Sequence, residues 1–303
     1  MNILGKRYIF FGLSLLIILP GLIILFAGGL PLSIDFTGGS LLEVSFASAK
    51  PAPADIIAIY QDSNIKDVQV QTSETGSYII RSEFLENDVR DAVLAEMTSK
   101  ISEPKVIRFD SVGPSIGEQV TSRATMAVVV SSILVVLFIA WSFRGIQNAF
   151  RYGICAILAM IHDVAIIFSV TAIGGMLFGW EIDSLFLTAL LTVIGFSMQD
   201  TIVVFDRVRE NLNIHRRLEF ETLVNHSIVQ TLQRSINTQL MTVEFLLLAL
   251  AMFGGVTLQE FSVVLLVGLM SGTYSSIFIA APILVVWENK EWKTWFRRKE
   301  ATA

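Results

Sequence analysis

The chain has 303 residues, 53% of them hydrophobic and 16% charged, with a formal net charge of −5 and a mean hydropathy of +0.64. That composition is far from a soluble domain and indicates a polytopic membrane protein, while the acidic balance without a basic face argues against nucleic acid as a partner. The lone Cys155 cannot form an internal disulfide and reads as a small packing residue. His162, His215 and His226 lack metal-ligand spacing, so no metal and no cofactor are expected.

Residues 8–30 are uncharged and follow Lys6 and Arg7 directly. The run is long enough to cross a bilayer and is read as an uncleaved first transmembrane helix, with Pro20 as the site of a kink. A cleavable signal peptide is the competing reading, and the run is too long for a typical signal core.

Residues 31–120 change character, with charges and short apolar clusters. Ser40–Phe46 reads as a strand, Pro53–Asp62 as a helix, Val68–Thr72 and Tyr78–Ser82 as strands joined by a turn at 73–76, Asn87–Ile101 as a helix and Val106–Phe109 as a last strand. The order βαββαβ predicts a ferredoxin-like α+β domain, soluble and on one side of the membrane.

Ser111–Gly117 reads as a hinge-like connector. Further transmembrane helices are expected at 121–143, 152–175, 183–206, 229–253 and 260–287, with a cytoplasmic link at 207–228 and a basic cytoplasmic tail at 288–303. The link carries an amphipathic pattern at Leu218, Leu223, Ile228 and Leu232, although a solvated connector fits equally well. The expected fold is therefore a membrane all-α six-helix bundle with the α+β domain inserted after its first helix. Loops 174–183 and 254–260 carry no Lys or Arg, whereas the opposite segments are rich in both. The positive-inside rule then puts both termini in the cytoplasm and the inserted domain outside it.

Asp200 stands inside an apolar run, before the charged cluster Asp206–Glu210. An ionisable group at membrane depth costs at least ~2.5 kcal/mol on insertion scales, which marks a functional position. Asp206 follows Asp200 by the same interval at which Arg234 follows Ile228. On oppositely directed helices the two side chains reach similar depth, where carboxylate and guanidinium can pair. Such a pair is a proton switch: ionised Asp200 holds Arg234, protonated Asp200 releases it, and arginine cannot give up its own proton. A static salt bridge is the plainer alternative. Ser197 and Thr201 share a face with Asp200, Gln199 precedes it, and Thr238 lies on the polar stripe of Arg234, so all four are candidate supporting residues. Asp163, beside His162, either joins the relay or ties helices together. Glu244 lies further along the fifth expected span. Asp206, Arg207, Arg209 and Glu210 read as a surface ion network. Gly268, Gly272, Ser276 and Ala280 form a small-residue ridge for close helix contact.

Three stretches carry a resemblance to a known family: Ile34–Ser40; Gly195–Asn211, with the pattern G-F-S-M-Q-D-T-I-V-V-F-D-R-V-R-E-N; and Gln230–Ser235. Together with Phe253–Gly255 and Gly272–Ser276 they resemble the SecF family, the smaller partner of SecD in bacterial protein export. The likeness covers nearly the whole chain. It implies half of a resistance-nodulation-division transporter in a bacterial inner membrane, not an enzyme. It implies use of the proton (or sodium) gradient to promote preprotein translocation, with Asp200 and Arg234 as the relay. The implied partners are SecD, the SecYEG translocon, YajC, the translocating preprotein and membrane lipid. Phe196 and Met198-Gln199 depart from the family's usual Tyr and Ile-Asn, and Gln239 and Glu244 are bulkier than the small and hydroxyl residues favoured there. The alternatives are a small-molecule or lipid exporter subunit of the same superfamily and a purely structural, translocon-stabilising subunit.

Overall fold

The computed structural model describes residues 2–47, 50–72, 76–144, 148–239, 245–253 and 255–293. In chain order its elements are α1 (Arg7–Gly28), α2 (Ile34–Thr37), β1 (Gly39–Phe46), α3 (Pro53–Asp62), β2 (Gln69–Thr72), β3 (Tyr78–Ser82), α4 (Asn87–Lys100) and β4 (Pro104–Val112). They continue with α5 (Pro114–Ser142), α6 (Ala149–Phe178), α7 (Ser184–Ile214), α8 (Phe220–Gln239), α9 (Phe245–Phe253), α10 (Gly255–Ser275) and α11 (Ala281–Glu288). The chain divides into two compact units, Leu32–Ala127 and the remainder.

In the smaller unit the strands form one antiparallel sheet in the order β2-β3-β1-β4. Alternate residues point to one face, so Leu42 and Val44 of β1 and Tyr78 and Ile80 of β3 are buried together. Ile56, Ile59 and Tyr60 of α3 and Val93 and Met97 of α4 complete that core. Helix α3 starts where Pro53 fixes φ and where Asp55 accepts a hydrogen bond from the Ala52 amide at 3.1 Å. The chain enters β1 through Gly38 and Gly39, with φ of +71° and +120°. A side chain on Gly39 would come within 2.7 Å of the Ser82 carbonyl oxygen, so glycine is required on both counts.

Among the described residues of the larger unit, together with α5, five helices are long and apolar enough to cross a membrane: Leu4–Gly28, Pro114–Ser142, Ala149–Phe178, Ser184–Ile214 and Leu258–Glu288. At the expected fifth span, 229–253, the structure has α8 and α9; residues 240–244, with Glu244, lie outside the described residues. Three regions differ from the sequence expectation. Helix α5 begins at Pro114, within the expected connector, because proline suits a first helical position and the Gly117 amide donates to the Gly113 carbonyl. Strand β4 is longer at both ends than Val106–Phe109, following the full length of β1. The segment expected as a link is largely helix: α7 runs on to Ile214 because Val208 and Asn211 still face the interior, and α8 starts at Phe220 because Leu223, Val224 and Ile228 bury a stripe against it.

Helices α6, α7 and α10 pack together. The contact between α10 and α7 is close because a Cβ on Gly272 would lie 3.1 Å from the Ser197 Cα, and one on Gly268 would lie 2.4 Å from Val193 Cγ2. A π-helical turn, Ser276–Ala280, separates α10 from α11. It lies just before Pro282, whose missing N–H removes a helix donor.

Candidate intramembrane polar site

Asp200 is 8% exposed, on the buried side of α7. Its two oxygens have separate partners: Ser235 of α8 donates to Oδ1 at 2.7 Å, and Ser276, at the start of the π turn, donates to Oδ2 at 2.8 Å. Two hydroxyl groups from two other helices thus satisfy a carboxyl group that would otherwise be costly to bury.

Asp163 of α6 is 1% exposed and more densely held. Its Oδ1 accepts from Ser271 at 2.6 Å and meets His162 Nδ1 at 3.0 Å. Its Oδ2 accepts from Ser275 at 2.6 Å and from Ser197 of α7. Ser271 and Ser275 are one helical turn apart on α10 and both face α6. Beyond Asp163, His162 Nε2 lies 2.9 Å from Ser14 Oγ on α1. Ser14 lies 3.5 Å from the Tyr274 hydroxyl, which donates to the Phe10 carbonyl at 2.8 Å.

The sequence candidates separate into two groups. Asp200, Ser197 and Asp163 join the buried network. Thr201 is fully buried next to Asp200, and its hydroxyl has no hydrogen-bond partner among the described residues. Arg234 is exposed, and it is its neighbour Ser235 that makes the hydrogen bond to Asp200. Thr238 is exposed and donates to the Arg234 carbonyl, and Gln199 is exposed. Sequence reasoning missed Ser235, Ser271, Ser275, Ser14 and Tyr274, and it read Ser276 only as a packing residue. The spacing of Ser271 and Ser275 gave no usable signal, because other hydroxyl residues, Ser262 and Thr273, stand on the same helix. Among the described residues, no three or more His, Cys, Asp or Glu side chains converge to hold a metal ion.

Outside this network, Arg207 and Arg209 pair with Glu210 and Asp206 along α7. Arg207 also donates to Gln230 Oε1 at 2.7 Å, and Asn211 donates to Ser227 at 2.8 Å, tying α7 to α8. At the start of α1, Arg7 pairs with Glu221 at 2.9 Å and with Glu291.

The fold and this network define a multi-pass membrane protein built around buried carboxyl groups, with a small antiparallel domain attached. Residues 92–290 match the family described as protein export membrane protein SecD/SecF, C-terminal, and residues 23–50 match the SecD/SecF GG motif, which contains the Gly38-Gly39 turn. A protein translocase subunit SecF from Anaerolinea thermophila is 62% identical, over 98% of this chain and 97% of its own length. One from Thermobaculum terrenum is 44% identical, over 100% and 99%. The crystal structure of SecDF from Thermus thermophilus, described as a translocon-associated membrane protein, superimposes with a TM-score of 0.79 at 33% identity. That match covers 95% of this chain and 39% of the SecDF chain, so the protein spans about two fifths of that relative. The chain belongs to the SecD/SecF protein-export family, as a SecF-type protein translocase subunit of the Sec machinery, a transport component rather than an enzyme.

Proposed function

We propose that the protein, paired with a SecD-type partner in a bacterial inner membrane, uses the proton or sodium gradient to promote preprotein translocation through SecYEG. The observation that carries this reading is Asp200. It is a buried acid in an apolar helix, held by hydroxyls from two neighbouring elements, one of them Ser235, the residue next to Arg234. Ser235 and Arg234 are consecutive on α8, so a rotation of that helix by about 100° exchanges one for the other beside Asp200. The arrangement then alternates between a serine-held station and an arginine-paired station as the proton arrives and leaves.

The bundle is half of a resistance-nodulation-division transporter, with α8 and α9 in the place of the fifth of six spans. The smaller unit is a ferredoxin-like domain outside the cytoplasm, a reading supported by the strand order and the two helical crossovers. Both termini are cytoplasmic, in keeping with the bias of Lys and Arg. A SecDF relative joins both halves in one chain, which supports a SecD partner here. SecYEG, YajC, the emerging preprotein and lipid complete the surroundings.

The test is reconstitution with the SecD partner and translocon, with export measured with and without a proton gradient. Asp200→Asn is expected to remove the gradient-stimulated part, a loss of about a hundredfold, while assembly with SecD persists. Unchanged gradient stimulation in that variant would refute the relay.

A further inference from the structure

We propose that His162 and Asp163 form a second proton-binding site, coupled to Asp200 through the consecutive serines 275 and 276. This inference rests on the relay reading above and extends it to a different helix.

The geometry of the hydrogen bonds carries it. Asp163 accepts at both oxygens from Ser197, Ser271 and Ser275, and those hydroxyl donors call for an ionised carboxylate. Its remaining neighbour, His162 Nδ1, then carries a proton and donates to Oδ1. The other ring nitrogen is the variable one. In neutral His162, Nε2 accepts from the Ser14 hydroxyl. When Nε2 takes a proton, the direction reverses: Nε2–H donates to Ser14 Oγ, Ser14 turns toward the Tyr274 hydroxyl, and Tyr274 continues to donate to the Phe10 carbonyl. The chain of contacts is donor-consistent from end to end in that imidazolium state. One N–H bond forms, a hydronium ion on the side of higher proton activity becomes water, and the adjacent Asp163 carboxylate balances the new charge.

The groups facing the ring are few. Asp163 adjoins it on α6, Ser14 approaches from α1, and Tyr274 of α10 stacks on it with centroids 6.1 Å apart. Through Asp163 the ring reaches Ser197 of α7 and Ser271 and Ser275 of α10. The only other carboxyl group tied to that stretch of helix among the described residues is Asp200, through Ser276.

The coupling element is visible at the π turn. Ser275 bonds to Asp163 and also to the Gly272 carbonyl at 3.2 Å. Ser276 bonds to Asp200 and also to the Thr273 carbonyl at 2.9 Å. Each hydroxyl therefore has two acceptors, one carboxyl group and one carbonyl of its own helix. Loss of charge on either acid lets its serine fall back on the helix backbone. The two serines are neighbours at the point where the helix changes pitch, so a shift at one is transmitted to the other.

Two measurements on the full complex test this. In protein labelled at histidine, the imidazole NMR signal that disappears in His162→Gln is expected to respond to added acid as Nε2 gains a proton, and Asp163→Asn is expected to alter that response. A wild-type His162 signal that acid leaves unchanged overturns the proposal, whether or not the variants assemble. In reconstituted export, His162→Gln is expected to lower gradient-stimulated transport about tenfold and flatten its pH profile, with Ser14→Ala giving a smaller change of the same kind. If Asp200→Asn abolishes stimulation while His162→Gln keeps the wild-type rate and pH profile, the second site falls and the relay at Asp200 stands. If Asp200→Asn exports normally, the relay falls, and the acid response of the His162 signal with its dependence on Asp163 still decides the proton site.

Discussion

Helices α5 and α7 have similar lengths, 29 and 31 residues, and both are apolar enough to span a membrane. Yet 6% of the apolar window of α5 is buried in the protein, against 50% for α7. Helix α5 turns Val129, Val130, Ile133, Leu134, Leu137 and Phe138 outward and holds no ionisable group within its apolar stretch. Helix α7 packs on α6, α8 and α10, and of the two helices it is the one that holds a buried carboxyl group, Asp200, within its apolar stretch. The contrast shows what a buried acid requires. Apolarity sets the span, and hydroxyl donors from neighbouring helices make the acid tolerable. The exposed face of α5 suits lipid or an apolar partner helix and offers an acid no donors.

That comparison can be broken most directly at Asp163. Asp163→Ala strands the hydroxyls of Ser197 and Ser271 and the His162 ring, and should cost about 3 kcal/mol of stability. It would be read as a lowered melting temperature in detergent, and an unchanged value would mean that the network does not hold the helices together. Next is the seam that lets α10 approach. Gly272→Val adds side-chain atoms where even a Cβ would meet the Ser197 backbone at 3.1 Å. It should destabilise by about 2 kcal/mol and weaken gradient-stimulated export at the same time, because Ser275 and Ser276 are displaced with it. Export falling without any loss of stability would separate site geometry from packing.

A smaller effect is expected at the edge of the bundle. Burial opposes the charge on Glu291, but hydrogen bonds from Tyr8 and Asn289 and the nearby Arg7 outweigh it and hold the carboxyl below the ordinary glutamate range. Its contribution is therefore present above the pKa of an unfolded glutamate and is lost as pH falls through the lower folded value. Glu291→Gln should lower stability by about 1 kcal/mol at pH 7, and the difference from wild type should vanish in acid. A difference that grows in acid would contradict the assignment. The smallest change belongs to α5. Leu134, 60% exposed, should tolerate Leu134→Ala within about 0.5 kcal/mol in detergent. A large loss there would mean that α5 is packed far more than its exposure indicates.

Much was legible before any coordinates. The apolar runs, the inserted stretch with strands at Ser40–Phe46 and Tyr78–Ser82, and the helix at Pro53–Asp62 follow from local rules of periodicity and turn chemistry, and the structure has these elements at or within a residue of those bounds. Asp200 stood out because one charge in an apolar run needs no context to be noticed. The serines were illegible for the opposite reason. A hydroxyl in an apolar helix can satisfy itself on its own backbone, as Thr188 and Thr192 do, so nothing in the sequence distinguishes those from Ser271, Ser275 and Ser276.

The sequence by itself determined which segments are apolar, where the chain turns and which acids lie within apolar runs, because each depends on neighbours along the chain. Only the tertiary structure decided who faces whom. It put Ser235 rather than Arg234 in hydrogen-bond contact with Asp200, and it made Asp163, with His162, the more heavily bonded of the two acids. Apart from the one between His162 and Asp163, those contacts join residues far apart in the chain. They are fixed by the close passage of α10 over α7 at Gly268 and Gly272 and by the change of pitch at Ser276, which helical spacing alone does not specify.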